Sequence, residues 1–368
     1  MTAGQWVKTA LRFTYRAALG LHERLSAASS GNDTAIRVFY GGARGGTAGG
    51  TRVKILRLGE EFPEHLWDYT LVYLLSNAPY LLPTTLERLK ARGIPIVGNQ
   101  DGVFYPGWFG GDWRAENERM AALHRLADHV FYQSEFCRRA ATAFLGERAA
   151  AKEVLYNAVD ASRFAPSEKD ELRGDGHQFL VAGKFGFDQY YRLESAVRGV
   201  ACATRRGLNA RLTVAGIVAR GIRARVRALA QSLNVGNAIR LAGPYNRATA
   251  PRVFASADVF LSTGHNDNCP SSVIEAMACA LPVIYAASGG VPELVGSEAG
   301  IAVETGESWD EMLSPSADGL ADAMAHAVEN HAAFSAAARS RAVARFDIGP
   351  WLARHRQVFR SLLEARHG

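Results

Sequence analysis

A chain of 368 residues with 48% hydrophobic and 21% charged side chains holds enough apolar mass for a packed core and is not a disordered chain. Its 42 Lys and Arg against 36 Asp and Glu give a net charge of +6, and no apolar run reaches the roughly 18 residues of a membrane-spanning helix. At about 150 residues per domain, the length predicts two domains.

The first 25 residues are basic but lack the apolar block and small-residue cleavage site of a secretory signal. Within them, QWVKTALRFTYRAALGLHERL (5–25) reads as an amphipathic helix. Val7, Leu11, Thr14, Ala18, Leu21 and Leu25 form one face, and Lys8, Arg12 and Arg16 a basic row. Packing on the host domain is the first reading of this helix, and contact with an anionic membrane surface the second. The four cysteines (Cys137, Cys202, Cys269, Cys279) form no CxxC pair, so neither a disulfide framework nor a zinc site is expected, and a reducing cytoplasm fits best. No metal site and no nucleic-acid recognition motif is read.

Short apolar runs then alternate with helical patterns, the signature of parallel sheets covered by helices. The first set is IRVFY (36–40), RVKILRL (52–58), YTLVYLLS (69–76), IPIVGNQ (94–100), HVFYQS (129–134) and KEVLYN (152–157), all read as strands. PTTLERLKARG (83–93) reads as a helix, with Pro83 at its start and Gly93 just past its end. The glycine-rich GGARGGTAGG (41–50) has no G-x-G-x-x-G spacing and is not a Walker A loop. It is expected to run into a strand, either as a phosphate-cradling loop or as a flexible connection. The polar stretch from Pro166 to Gly176 reads as a linker.

A second set follows: QFLVAG (178–183), ARLTVAG (210–216), AIRLAG (238–243), DVFLST (258–263), LPVIYA (281–286) and GIAVET (300–305). YYRLESAVRGVACATRRG and SSVIEAMACA are read as helices among them. In IGPWLARHRQVFRSLLEARHG, Pro350 suits a first helical position, and Trp351, Val358, Phe359, Leu362 and Leu363 an apolar face.

The densest chemistry lies in HNDNCPSSVIEAMACALPVIYAASGGVPELV (265–295). Asp267 sits on a loop after a strand, a helix opens around Pro270, Ser271 and Ser272, and Glu275 lies in its first turns. A helix N-terminus is a natural seat for phosphate. Two carboxylates there suit sugar and ribose hydroxyls; read alone, the pair equally fits an N-capping Asp and a surface Glu.

This stretch resembles the retaining glycosyltransferases of family 4 (glycosyl transferases group 1). Their E-x7-E appears here as Asp267 and Glu275, their G-x-P-V-I strand as ALPVIYA, and their G-G-x-x-E turn as Gly289, Gly290 and Glu293. VLYNAVDASRFAP (154–166), YQSEFCRRA (132–140), LAGPYNRATAPRVFASADVFLS (241–262) and the C-terminal RFDIGPWLARHRQVFRSLL match further family segments in order. The likeness is strong over 150–368 and weak over 1–130.

The resemblance implies a GT-B α/β fold, two Rossmann-like domains facing each other across a cleft. Residues 1–165 would form the acceptor-binding domain, closed by the helix at 346–368, and residues 166–345 the nucleotide-sugar domain. Glu275 would accept ribose hydroxyls, Asp267 would face the donor sugar, and backbone amides from Asn268 through Cys269 and Pro270 to Ser271 and Ser272 would hold sugar and phosphate. Gly243 and Tyr245 join the donor-binding set. Lys184 takes the position of the family's arginine near the pyrophosphate. Gln189 and Tyr190 stand where a lysine is usual, and Arg192 is the nearest cation. Where the family often carries a His, NQDGVFYP (99–106) has Gln100 and Asp101. Asp101 either positions or deprotonates an acceptor hydroxyl, or simply shapes a turn with Gly102. The aromatic YPGWFGGDW (105–113) either stacks an acceptor or fills a loop core.

The expected activity is metal-independent transfer of a sugar from a nucleotide donor to a glycan or lipid-linked acceptor of a cell-surface polysaccharide or glycolipid, with no cofactor. The expected setting is the cytoplasm or the inner membrane face. The alternatives are a degenerate sugar-nucleotide-binding subunit and a sugar-nucleotide epimerase of the same fold.

Overall fold

The structure is a computed structural model. It describes residues 3–26, 34–46, 50–77, 80–166 and 175–366, the side chains of 3–13 and 51 excepted. The chain divides into two compact units. Unit 1 comprises Met1–Phe104, Gly111–Leu155 and Trp351–Gly368; unit 2 comprises Tyr105–Gly110 and Tyr156–Pro350.

Unit 1 holds a parallel sheet of β1 (Val38–Phe39), β2 (Leu71–Leu75), β3 (Ile96–Gln100), β4 (His129–Tyr132) and β5 (Lys152–Val154), paired in that order. Every residue of β2, β3 and β4 is buried, as a parallel sheet covered on both faces requires. Its helices are α1 (Ala3–Leu25), α2 (Gly50–Glu61), α3 (Pro83–Ala91), α4 (Trp113–Leu126) and α5 (Glu135–Leu145). Asp112 and Ser134 cap α4 and α5 by accepting from the Ala115 and Cys137 amides.

RVKILRL is helix rather than strand. Lys54, Ile55, Leu58 and Phe62 are all buried, a helical spacing that seven residues read in isolation hide behind their alternation. The glycine-rich stretch therefore leads into α2; its residues 47–49, and residues 167–174 of the expected linker, lie outside the described residues.

On α1 the face that packs differs from the face read in the sequence. Tyr15 donates to the Gly42 carbonyl at 2.8 Å, and His22 lies against Phe39 and Trp67. Glu23, 1% exposed, is gripped by Arg88 and Arg92 at 3.0 Å each. Thr14, Ala18, Leu21 and Leu25 are exposed. Val7, Lys8, Leu11 and Arg12 lie outside the described side chains.

Unit 2 holds β6 (His177–Phe185), β7 (Ala210–Val218), β8 (Ile239–Gly243), β9 (Val259–Ser262), β10 (Val283–Ala286) and β11 (Gly300–Val303). Its helices are α6 (Tyr190–Arg205), α7 (Arg220–Ser232), α8 (Ala250–Ala255), α9 (Ser271–Ala278), α10 (Val291–Val295), α11 (Ala317–Glu329) and α12 (His331–Phe346). All pairings are parallel, and the order is β11-β10-β9-β6-β7-β8. The chain runs from β6 to one side of the sheet, then returns to β9 and runs to the other. The topological switch point thus falls between the carboxyl ends of β6 and β9.

Two distant stretches of unit 2 run side by side. The Val159 amide donates to the Phe346 carbonyl at 2.8 Å, and the Ile348 amide to the Val159 carbonyl at 2.9 Å. The Asp347 carboxylate accepts from the Ala161 amide at 3.1 Å. The last helix, α13 (Ile348–Glu364), begins there, so Pro350 is its third residue, still within the turn whose amides have no intrahelical partner. From Trp351 onward it belongs to unit 1, where Trp351, His355, Val358, Phe359 and Leu363 are buried.

Candidate functional site

Open parallel sheets bind ligands outside the carboxyl ends of their strands at a switch point. In unit 2 the chain there carries Lys184 at the end of β6, Arg192 in the first turn of α6, and the loop 263–270 between β9 and α9. Lys184 is exposed.

The loop is held on three sides. The Thr263 hydroxyl donates to the Arg192 carbonyl at 2.8 Å and the Tyr191 hydroxyl accepts from the His265 amide at 3.0 Å. His265 Nε2 and Asn266 Nδ2 both reach the Ser308 carbonyl, at 3.0 and 2.8 Å. From behind, the Ser288 hydroxyl accepts from the Asn266 amide at 3.1 Å, and the Gly290 amide donates to the Asp267 carbonyl at 2.8 Å. Gly289 has φ +72°, and a Cβ on it would meet the Asp267 carbonyl oxygen at 2.6 Å. Glycine at 289 is thus required by close backbone approach and by a left-handed turn.

Asp267 accepts from the backbone amides of Asn268 and Cys269 and faces Arg192. Burial raises its carboxyl above the ordinary range, against the Arg192 charge and the two amides. These two amides therefore organise Asp267 itself. The Cys269 side chain is buried against Asn157, whose Nδ2 donates to the Cys269 carbonyl at 2.6 Å. What remains open is the start of α9. Pro270, in extended geometry, offers no side-chain cap, and the Ser271 and Ser272 amides are first-turn donors with no intrahelical acceptor. Asn268 Oδ1 and Arg192 Nε are buried and make no hydrogen bond among the described residues.

Glu275, one turn into α9 and half-buried, disfavours the ionisation of two neighbours, the Tyr245 phenol and the Cys279 thiol, in each case adding to burial. Tyr245 follows Gly243, which has φ +83° and nothing within 4 Å of an added Cβ. Glu293 accepts from the Tyr156 hydroxyl at 3.2 Å.

The strap Tyr105–Gly110, which the sequence offered as an acceptor stack or a loop core, is counted with unit 2, and its packing on residues 309–311 is what sequence reading missed. The Gly107 amide donates to the Trp309 carbonyl at 2.8 Å, and an added Cβ would strike the 309–311 backbone at 2.9–3.0 Å. Tyr105 packs edge-on to Trp309, centroids 4.9 Å apart, and the Asn266 side chain hydrogen-bonds its hydroxyl. The three glycines and four aromatics of 105–113 are the signal that could have found it.

In unit 1, Asp101 follows β3. The Ser76 hydroxyl donates to its carboxylate and accepts from its amide at 3.1 Å.

Residues 169–341 match the model of the family described as glycosyl transferases group 1. A 190-residue stretch is 31% identical to a protein named D-inositol 3-phosphate glycosyltransferase from Actinosynnema mirum, covering 47% of this chain and 46% of that one. An 81-residue stretch is 37% identical to a protein of the same name from Kineococcus radiotolerans, covering 21% of this chain and 19% of that one. The chain spans less than half the length of these curated relatives. Among solved structures it is similar to sucrose-phosphate synthase from Thermosynechococcus elongatus (TM-score 0.65, 19% identity, 81% of this chain and 75% of that one). It is also similar to Anabaena HepE in complex with UDP (TM-score 0.64, 19% identity, 84% and 81%). The fold is that of the GT-B glycosyltransferases. Within unit 2, residues 169–341 are thus similar to the glycosyl transferases group 1.

Proposed function

We propose that this chain is a retaining, metal-independent glycosyltransferase that moves a sugar from a nucleotide donor on unit 2 to a glycan or lipid-linked acceptor on unit 1, in cell-surface polysaccharide or glycolipid synthesis. The observation that carries the donor side is the set of polar groups at the switch point that no other described group satisfies. The uncapped α9 amides, Asn268 Oδ1 and Arg192 Nε lie there together with the Lys184 ammonium. A departing nucleoside diphosphate needs such positive charge as the glycosidic bond breaks. Glu275 then takes the ribose hydroxyls and Asp267 the donor sugar, with Gly243 and Tyr245 beside the nucleotide. Solved neighbours in complex with UDP and with UDP-glucose support the donor class.

On the acceptor side, Asp101 accepts the hydrogen bond of the incoming hydroxyl. Anionic lipid is a partner through α1, whose exposed Leu21 and Leu25 lie on the same unit as the exposed Trp67. Gln189, in place of the family's second cation, favours one rival, a binding subunit without transfer.

Calorimetric titration with UDP, GDP and ADP, followed by turnover of the matching sugar nucleotide with excess EDTA and then with added magnesium, tests the reading. One nucleotide should bind, and turnover should survive chelation. Absence of all nucleotide binding overturns the donor site; binding without turnover favours the binding subunit; turnover only with metal overturns metal independence.

A further inference from the structure

The donor and acceptor roles above leave unused a buried cation of unit 1 at the carboxyl end of its sheet. Lys54 of α2 is 6% exposed, and its Nζ donates to Asn99 Oδ1 at 2.6 Å. Asn99 Oδ1 also accepts from Gln133 Nε2 at 3.2 Å. Ser76, Asn99 and Gln133 lie at or just past the carboxyl ends of the neighbouring strands β2, β3 and β4, and are 0%, 2% and 7% exposed. Helix α2 and three strands thus each bring a polar group to the carboxyl end of the sheet, the end at which such sheets present ligand sites.

A buried lysine adds little stability over an apolar residue of the same volume, so packing does not call for it. The carboxylate nearest this group of side chains is Asp101, half-buried just after β3. Ser76 and Tyr73 from β2, the Asn77 backbone and Lys54 from α2 face it; of these described groups, Lys54 supplies the positive charge. Burial pushes the Asp101 carboxyl up, and Lys54 and Ser76 oppose that. On its other side, Lys54 helps to keep the buried His355 of α13 neutral.

We propose that Lys54 is a positioning residue, the counter-ion that holds Asp101 as a fixed carboxylate able to accept the hydrogen bond of the acceptor hydroxyl. The last step rests on the acceptor-side reading of Asp101 given above. Without Lys54, Asp101 takes up a proton and offers the acceptor a donor in place of an acceptor.

Carboxyl 13C NMR on full-length protein labelled at Asp Cγ tests this directly, with Asp101 assigned as the resonance missing from Asp101→Asn. In the wild type Asp101 should be ionised at pH 7. In Lys54→Met its midpoint should rise by about 1–3 pH units, and in Lys54→Arg it should return toward wild type. Lys54→Gln serves as a second variant, with circular dichroism to verify folding. A wild-type carboxyl protonated at pH 7 overturns the proposal without any variant, and an unmoved midpoint in a folded Lys54 variant does the same. UDP release from UDP-glucose, with inositol 3-phosphate as acceptor probe, separates the two layers. If Asp101→Asn transfers normally, the acceptor reading fails while the Lys54 pairing stands. If transfer is lost but the Lys54 variants leave the titration unmoved, the pairing fails alone.

Discussion

Asp267 and Glu275 are both carboxylates, eight positions apart, yet their surroundings differ. Asp267 is fixed by two amides and by Arg192, whereas Glu275 lies one turn into α9 with Tyr245 as its neighbour. Glu275→Gln should therefore weaken nucleoside diphosphate binding about tenfold or more, because hydrogen bonds to a charged acceptor are worth roughly 1.5–3 kcal/mol. Asp267→Asn should leave that affinity nearly intact and lower the transfer rate. Calorimetry alongside steady-state kinetics reads both, and an equal binding defect in the two variants would reject the division of roles. The spacing of these residues could be read from the chain because both sit on one strand–loop–helix unit, where sequence distance sets spatial distance. Lys54 could not, since its significance depends on Asn99 and Asp101, contributed by the end of β3 and the residue after it, more than forty residues away.

At the scale of elements, buried strands announce themselves. YTLVYLLS and HVFYQS contain β2 and β4 because a continuous β-branched and aromatic run suits a sheet covered on both faces. RVKILRL misled because its alternation ends before Phe62, the residue that completes the helical stripe. On α1 the error was of another kind. Periodicity reports that a helix is amphipathic, but not which face its host covers, and here the host covers Tyr15, His22 and Glu23. Leu21 and Leu25, 57% and 67% exposed, hold no core. Replacing both by Asp should thus leave the melting temperature within a degree or two of wild type, as is usual for surface changes, while abolishing sedimentation with anionic phosphatidylserine vesicles. Equal sedimentation of the variant would remove the lipid reading.

At the scale of the whole molecule, unit 1 is closed around neutral histidines. His355 donates from Nδ1 to the Trp351 carbonyl at 2.9 Å and meets the Tyr73 hydroxyl at 3.2 Å. Burial lowers it to about 3. His124, 2.7 Å from the Tyr132 hydroxyl, is lowered to about 4 by burial and by Arg148. Both titrate near 6.5 in the unfolded chain, so below that pH the unfolded state binds protons that the native state refuses. The stability they confer is complete above pH 6.5 and is lost as pH falls toward 4 for His124 and toward 3 for His355, on the order of 2 kcal/mol for each histidine at pH 5. Urea unfolding at pH 7.5 and 5.0 should show this loss, and His355→Phe should reduce it. A pH dependence unchanged by that substitution would rule out His355 as its source.

Helix α13 also sets an order of synthesis. Unit 1 needs Trp351–Gly368, yet its sheet ends at β5. A ribosome adding about 5–20 residues per second makes the intervening roughly 200 residues in about 10–40 s. Through that interval the surface that will receive Trp351, Phe359 and Leu363 stays uncovered. The unit whose sheet is made first is therefore the unit completed last.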